Sequence, residues 1–498
     1  MGLEYLVDEP ALGDDLVFLT YGGFGLLWGG AGAGELFGAW ISAFLSGNHV
    51  IPLNGFLHAV EMVLVVMSVD LGVTPLAAWG FFRLLWIVMA LVAAAALLRT
   101  MVQLTLDRSE SWYQSLSASY LVVLLVFLSF SKYHGDQLYD PLVSYSISGW
   151  LTSCLGFVAL GLAFGWIKTT STPKSMQVGL ITCLGIMGVL IYEMYVAFIL
   201  ATAVPIIFRL LRPGRHGRRW HWLVVAVICL GMPFLVLSVA QYLRLQWGPW
   251  YSGTRFGFVE LVAPTTATGI LSALPLTNAN GSIGIDHVGM SATLVVVLIL
   301  ALVFLGRMWS RFDSKAHEYG GLRPRYQSLG IMALSLLLLV ITANFVFALS
   351  EKYQMELMGE LGSVYLGYVP TVLVLCVIVG FFLLLGAALN RRVVVSALLL
   401  VIVFVGAAQT SFNSIIERDV ADRWEWSQAM LNGLLGTSRE AERCRSADDL
   451  LRAQLSEVQK HAIVQGMTDA FEGRYETTWC WQTTGIPSAP ESLVLAPE

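Results

Sequence analysis

Acidic side chains at the edges of long apolar runs are the residues whose types and spacing could do chemistry. Asp14 and Asp15 stand together in "GDDLVFLTYGG", His134, Asp136 and Asp140 are compressed into "SKYHGDQLYDP", and Glu193 interrupts "GVLIYEMYVAF". A carboxylate near a bilayer is costly unless it is solvated, paired or used, so each of these acids is a functional candidate. Two or three of them with a histidine, His134 or His49, offer general-base chemistry: one carboxylate takes the proton of an acceptor hydroxyl while its neighbours orient base or substrate. The cations Arg83, Lys132, Arg255 and Lys352 would stabilise a departing phosphate. A divalent cation is compatible with such acids, and no cofactor is called for. Plainer roles stand beside these. Asp14 suits a helix N-cap with Asp15 in the first turn, Asp140-Pro141 suits a helix start, and loop cations are often simply solvated.

The elements that must position these residues are membrane helices. The chain has 498 residues, 56% hydrophobic and only 13% charged, which excludes an ordinary soluble protein. Apolar runs at 75–99, 112–131, 143–167, 177–191, 194–211, 222–243, 291–306, 327–349, 368–389 and 393–411 predict about ten transmembrane helices. The fold class is therefore an all-α polytopic membrane protein. The run 17–73 is apolar but rich in glycine and interrupted by His58, Glu61 and Asp70, which reads as interfacial or re-entrant helices. Three regions follow: 1–73 with the acidic pair, a bundle over 74–411, and a soluble tail over 412–498.

Basic residues orient the bundle. Arg99, Arg108, Lys168, Lys174, the run Arg209 to Arg219, the run Arg307 to Arg325, and Arg391/Arg392 fall in alternate loops, which the positive-inside rule places in the cytosol. The acids, the aromatic-rich loop 244–290 ("LQWGPWYSGTRFGF") and both termini then face outward. Its aromatics suit an interfacial belt or a platform for stacking sugars. The run 209–219 suits a topogenic anchor, and nucleic acid is not expected as a partner. Cys154, Cys183, Cys229 and Cys376 lie in apolar runs. Cys444 and Cys480 share the outward tail, where an oxidising compartment would let them pair.

In order and sidedness this pattern resembles the GT-C superfamily of integral-membrane glycosyltransferases. The resemblance rests on the early acidic pair, the interfacial segment ending near "HVIPL", Arg83-Leu84 early in the next span, the acidic loop "GDQLYDP", "IYEMY" and a soluble outer tail. It is nearest to bacterial glucosyltransferase-type members that decorate surface glycans. It implies a plasma-membrane enzyme that takes a sugar from a polyprenyl-phosphate carrier at the outer face. Asp14 or Asp15 would be the base, and Asp136, Asp140 and Glu193 supporting acids, typically with inversion. The acceptor would be an envelope glycan, lipid or protein. A transporter or flippase would instead call for midplane polar groups and matching halves, and a polymer ligase or acyltransferase for a His/Asp- or Arg-rich outer loop.

Overall fold

The computed structural model describes residues 52–106, 115–133, 147–168, 173–212, 216–247, 257–277, 323–351, 353–354, 367–389, 391–434 and 468. Among them the chain is helical, with no strand. The helices are α1 (Pro52–Asp70), α2 (Pro75–Thr105), α3 (Leu116–Phe130), α4 (Thr152–Gly165), α5 (Ser175–Ile191), α6 (Tyr195–Leu211), α7 (His216–Ala226), α8 (Met232–Trp247), α9 (Val259–Ser272), α10 (Arg323–Ala348), α11 (Tyr368–Ala388) and α12 (Arg392–Leu434). A π-helical turn, Ile147–Leu151, leads into α4, and another, Val227–Gly231, joins α7 to α8. Seven stretches are long and apolar enough to cross a membrane, and α3, α5 and α6 are shorter apolar helices. Leu53–Asp70 is one of the seven, so the segment expected at the interface carries enough apolar length for a crossing. The run 291–306 lies outside the described residues.

Helix ends follow local chemistry. Gly72, at φ +91°, makes the turn out of α1, where a side chain would be strained. Thr74 then caps α2 by accepting from the Ala77 N–H (3.3 Å), with Pro75 at the first helical position. Ser115 caps α3 in the same way, from Ala118 at 3.1 Å. The break at Glu193 is real: Tyr192 leaves α5 in an extended conformation, and Tyr195 N–H donates back to Tyr192 O (3.0 Å) as α6 begins.

Long-range contacts fix which ends lie together. Lys132 N–H at the end of α3 donates to the Tyr368 hydroxyl at the start of α11 (3.0 Å), and Asn413 of α12 donates to Ser131 O (3.2 Å). Phe127 packs edge-on against Trp150 at the head of α4. Gln241 of α8 donates to Glu193, and Tyr192 stacks on Phe347 near the end of α10. One end of the bundle therefore holds residues 131–133, 147–150, 192–195, 241–247, 347–351, 353–354 and 368. By alternation, the exposed Arg99, Lys168, Lys174, Arg212, Arg219, Arg391 and Arg392 gather at the other end.

Helices α2, α3 and α11 meet closely. A Cβ on Gly380 of α11 would lie 2.9 Å from Leu98 and 3.1 Å from Val122, so no larger residue fits without displacing them. Ala94, Leu98, Val123, Phe157, Phe198, Leu339 and Val372 fill the core around them. The pair α7–α8 is peripheral, only 17% buried over its apolar window, and exposes Val227, Leu235 and Val239 as a lipid-facing helix does. At the bend, the Tyr195 ring lies directly over Gly188. Gly188→Leu is expected to force that ring away and open the α5–α6 bend, lowering stability by about 2–3 kcal/mol, the cost of an overpacked core. Thermal unfolding in detergent measures it, and an unchanged midpoint would contradict the packing.

Two features add to the sequence expectation. The last span and the start of the tail form one helix across 411/412, because α12 runs without interruption for 43 residues. The loop 244–290 contains α9. Both ends of α9 touch the acid-bearing end: Gly257 N–H donates to Leu349 O (2.9 Å) before it, and Ser272 O accepts from Lys132 Nζ (2.9 Å) after it. This helix lies across the ends of the spans rather than through the bundle.

Candidate functional site

Three polar groups occupy the end of the bundle opposite the exposed cations. The first lies between α1 and α2. Glu61, 3% exposed, accepts a hydrogen bond from Trp86 Nε1 (2.8 Å), and its other oxygen stands 3.6 Å from His58 Nδ1, an ion-pair separation one helical turn away. On α2, Trp79, Arg83 and Trp86 share one face at i, i+4 and i+7 spacing. The Arg83 guanidinium lies over the Trp79 ring, 5.5 Å from its centroid, and Arg83 is 1% exposed. Helices α2 and α11 run in the same direction. Counting back equally along both from the Leu98–Gly380 contact brings Trp86 level with Tyr368, the first residue of α11. Trp86 is thus level with the start of α11, while α2 itself begins eleven residues earlier, at Pro75.

The second group is the α5–α6 bend. Glu193 is half-buried and accepts from Gln241 Nε2 of α8. Tyr192, Phe347 and Tyr353 form an aromatic row beside it, with centroids 6.0 and 5.3 Å apart. A carboxylate placed beside such a row is of the type that serves as a base or a substrate-orienting acid.

The third group surrounds Lys132, 1% exposed. Its ammonium donates to Ser272 O (2.9 Å), to Thr277 O and to Thr277 Oγ1 (3.2 Å). Around it Gln409 accepts from Leu276 N–H (2.8 Å) and donates to Asn413 (2.9 Å), and Asn413 accepts from Tyr133 N–H (3.0 Å). Leu276 is held at φ +63°, a conformation unfavourable for a branched side chain, and this network fixes it. Lys132, expected from the sequence as a phosphate-binding cation, has among its partners carbonyls at the end of α9, where a cation is favoured by the helix dipole.

Of the residues singled out in the sequence, Arg83, Lys132 and Glu193 are placed, all at this end. Asp14, Asp15, His49, His134, Asp136, Asp140, Arg255, Lys352, Cys444 and Cys480 lie outside the described residues. The four described cysteines, Cys154, Cys183, Cys229 and Cys376, are free, and no group of three or more His, Cys, Asp or Glu gathers as a metal site among the described residues. No family model, curated protein or solved structure matches this chain.

Glu61, Trp79 and Trp86 were not singled out as functional. Glu61 and His58 were visible as interruptions of an apolar run, but the partner of Glu61 is 25 residues away on another helix. Glu61→Ala is expected to lower stability by about 1–2 kcal/mol, because the half-buried Trp86 N–H loses its acceptor. Glu61→Gln, which keeps that acceptor, should recover most of the loss. Thermal melts of the two variants side by side check this, and equal midpoints for Ala and wild type would overturn it.

Proposed function

We propose that this chain is a membrane glycosyltransferase that moves a sugar from a polyprenyl-phosphate donor to an envelope glycan, lipid or protein acceptor. The positive-inside rule puts the exposed cations in the cytosol, so the reaction is assigned to the outer face of a bacterial plasma membrane. One observation carries this reading: the buried His58, Glu61, Arg83 and Lys132 and the half-buried Glu193 lie away from the end of the bundle that holds the exposed cations, while the buried Arg209, in the last turn of α6, stands with those cations. Loop alternation assigns Asp136 and Asp140 to that same side, and the N-terminal segment with Asp14 and Asp15, which is acidic and carries no basic residue, is assigned there with them.

The chemistry assigned is a displacement at the anomeric carbon. Asp14 or Asp15 takes the proton of the acceptor hydroxyl as its oxygen bonds to that carbon. The bond from carbon to phosphate oxygen breaks, polyprenyl phosphate leaves with the electron pair, and the configuration inverts. Arg83 offsets the charge on the departing phosphate, and Glu193 orients sugar hydroxyls beside the aromatic row.

The test is release of polyprenyl phosphate from a panel of radiolabelled polyprenyl-phosphate sugars, using membranes from cells expressing the chain. Release from at least one donor, above that of an Asp14→Asn/Asp15→Asn double variant, is expected. No release above that variant from any donor sinks the reading. Glu193→Gln should retain activity about tenfold reduced, the worth of one charge-assisted contact.

A further inference from the structure

The span formed by α7 and α8 is buried unevenly along its length. Its first part carries the buried Trp222, Val225, Cys229 and Pro233, whereas from Phe234 to Leu243 no side chain is buried. Cys229 is held on α5 by the Val178 carbonyl (3.7 Å) and the Thr182 hydroxyl (3.8 Å). Pro233 lies on Gly185, where a Cβ would come within 2.6 Å of the proline ring. Two turns further out, Gln241 donates to Glu193 at the α5–α6 bend. The partners 229 with 182, 233 with 185 and 241 with 193 keep a nearly constant offset, so α8 runs parallel to α5 and register brings Gln241 to Glu193.

A joint divides this span where burial ends. Val227–Gly231 is a π-helical turn, and Pro233 has no N–H to offer the Cys229 carbonyl four residues back. A Cβ on Gly231 would meet only Val227 of the same turn, at 4.0 Å, so no neighbouring helix braces the joint. Beyond it, Phe234, Val236 and Leu237 are only partly buried, and Leu235, Val239, Tyr242 and Leu243 are exposed. Segments with few buried contacts are the ones that open locally.

We propose that residues 234–243 of α8 form a gate, hinged between Gly231 and Pro233 and latched by Gln241 on Glu193, through which a lipid-anchored substrate enters sideways from the bilayer. Opening keeps Cys229 and Pro233 seated on α5 and breaks the Gln241–Glu193 hydrogen bond. Sugar hydroxyls of the entering head group then take the place of the Gln241 amide. A side opening suits a ligand with a polar head and a long apolar chain, because the chain stays in lipid while the head reaches the bend. A water-soluble substrate gains nothing from it. The proposal rests on the glycosyltransferase reading only for the identity of that ligand as a polyprenyl-phosphate sugar.

Hydrogen exchange of the full-length protein in detergent, read by mass spectrometry, reports the gate without requiring activity. Amides of 234–243 are expected to exchange about tenfold faster than those of 219–229 on the same span. Gln241→Leu removes the latch and should speed 234–243 by about a further tenfold, the worth of one hydrogen bond to a charged group, leaving 219–229 unchanged. Pro233→Ala restores the missing N–H and should slow 234–243. Equal exchange of the two parts in the wild type overturns the gate even if neither variant folds, and so does exchange that Gln241→Leu leaves unchanged. The route is tested with a long-chain polyprenyl-phosphate sugar and a short-chain, water-soluble analogue. Pro233→Ala should lose kcat/KM for the first and keep the wild-type value for the second, and equal losses for both overturn sideways entry. Gated exchange without sugar release from any donor would leave the gate standing and remove the transferase. Sugar-free polyprenyl phosphate then tests the route: Pro233→Ala should slow its association and not that of a short-chain phosphate, and equal slowing overturns it. Sugar release with equal exchange of the two parts would keep the transferase and remove the gate.

Discussion

Lys132→Ala is expected to destabilise the bundle by about 3 kcal/mol or more, a larger loss than any other single truncation considered. The ammonium is the donor to two backbone carbonyls and a hydroxyl contributed by residues 140 and 145 positions later in the chain. Removing it leaves buried acceptors without that partner, at about 1–3 kcal/mol each. It also releases the 273–277 segment, which Gln409 and Leu276 join to α12. Lys132→Met keeps the aliphatic stem and should lose nearly as much, which assigns the effect to the charge. Unfolding midpoints in detergent measure both. A Lys132 that served as a phosphate ligand would behave oppositely, with variants of wild-type stability that bind donor poorly.

Asp14→Asn and Asp15→Asn carry the largest expected effect on activity. A positioned general base contributes about 10²- to 10⁴-fold, so loss of the true base should reduce incorporation of labelled sugar by that factor, about 3–5 kcal/mol in the barrier. The other aspartate, which orients rather than abstracts, should show a smaller reduction. Expression and melting midpoint should stay at wild-type values, since a carboxamide fills the same space. Wild-type incorporation in both variants would remove the acidic pair from the site.

The sequence made the bundle legible wherever apolar length and charge alternation carry the information. Helices α2, α4, α10 and α11 sit where the apolar runs predicted, and the exposed arginines and lysines gather at one end. Glu193 marked the α5–α6 bend because a lone acid in an apolar run has few other uses. Helix α9 was hidden: it lies within the long aromatic-rich loop 244–290, and its ends are held by Gln354, Leu349 and Lys132 from distant elements. The role of Lys132 was hidden for a related reason, since its main partners are carbonyl oxygens and every residue has one. The Trp79–Arg83–Trp86 face follows helical spacing and could be read from the sequence. That Glu61 reaches the Trp86 indole required the fold of α1 back onto α2.

Helix α12 extends about 64 Å at 1.5 Å per residue, roughly twice the 30 Å of a hydrocarbon layer. It is anchored in the bundle by Gln409 and Asn413, and some twenty residues of the same rod continue past that point. Because no joint intervenes, the azimuth at Leu434 is keyed to the azimuth at Asn413. Each residue inserted between them would turn everything beyond by about 100°, and a seven-residue insertion would nearly restore the original heading while adding about 10 Å of reach. The span and the start of the tail thus behave as a single shaft whose phase, more than its composition, dictates where the rest of the chain is delivered.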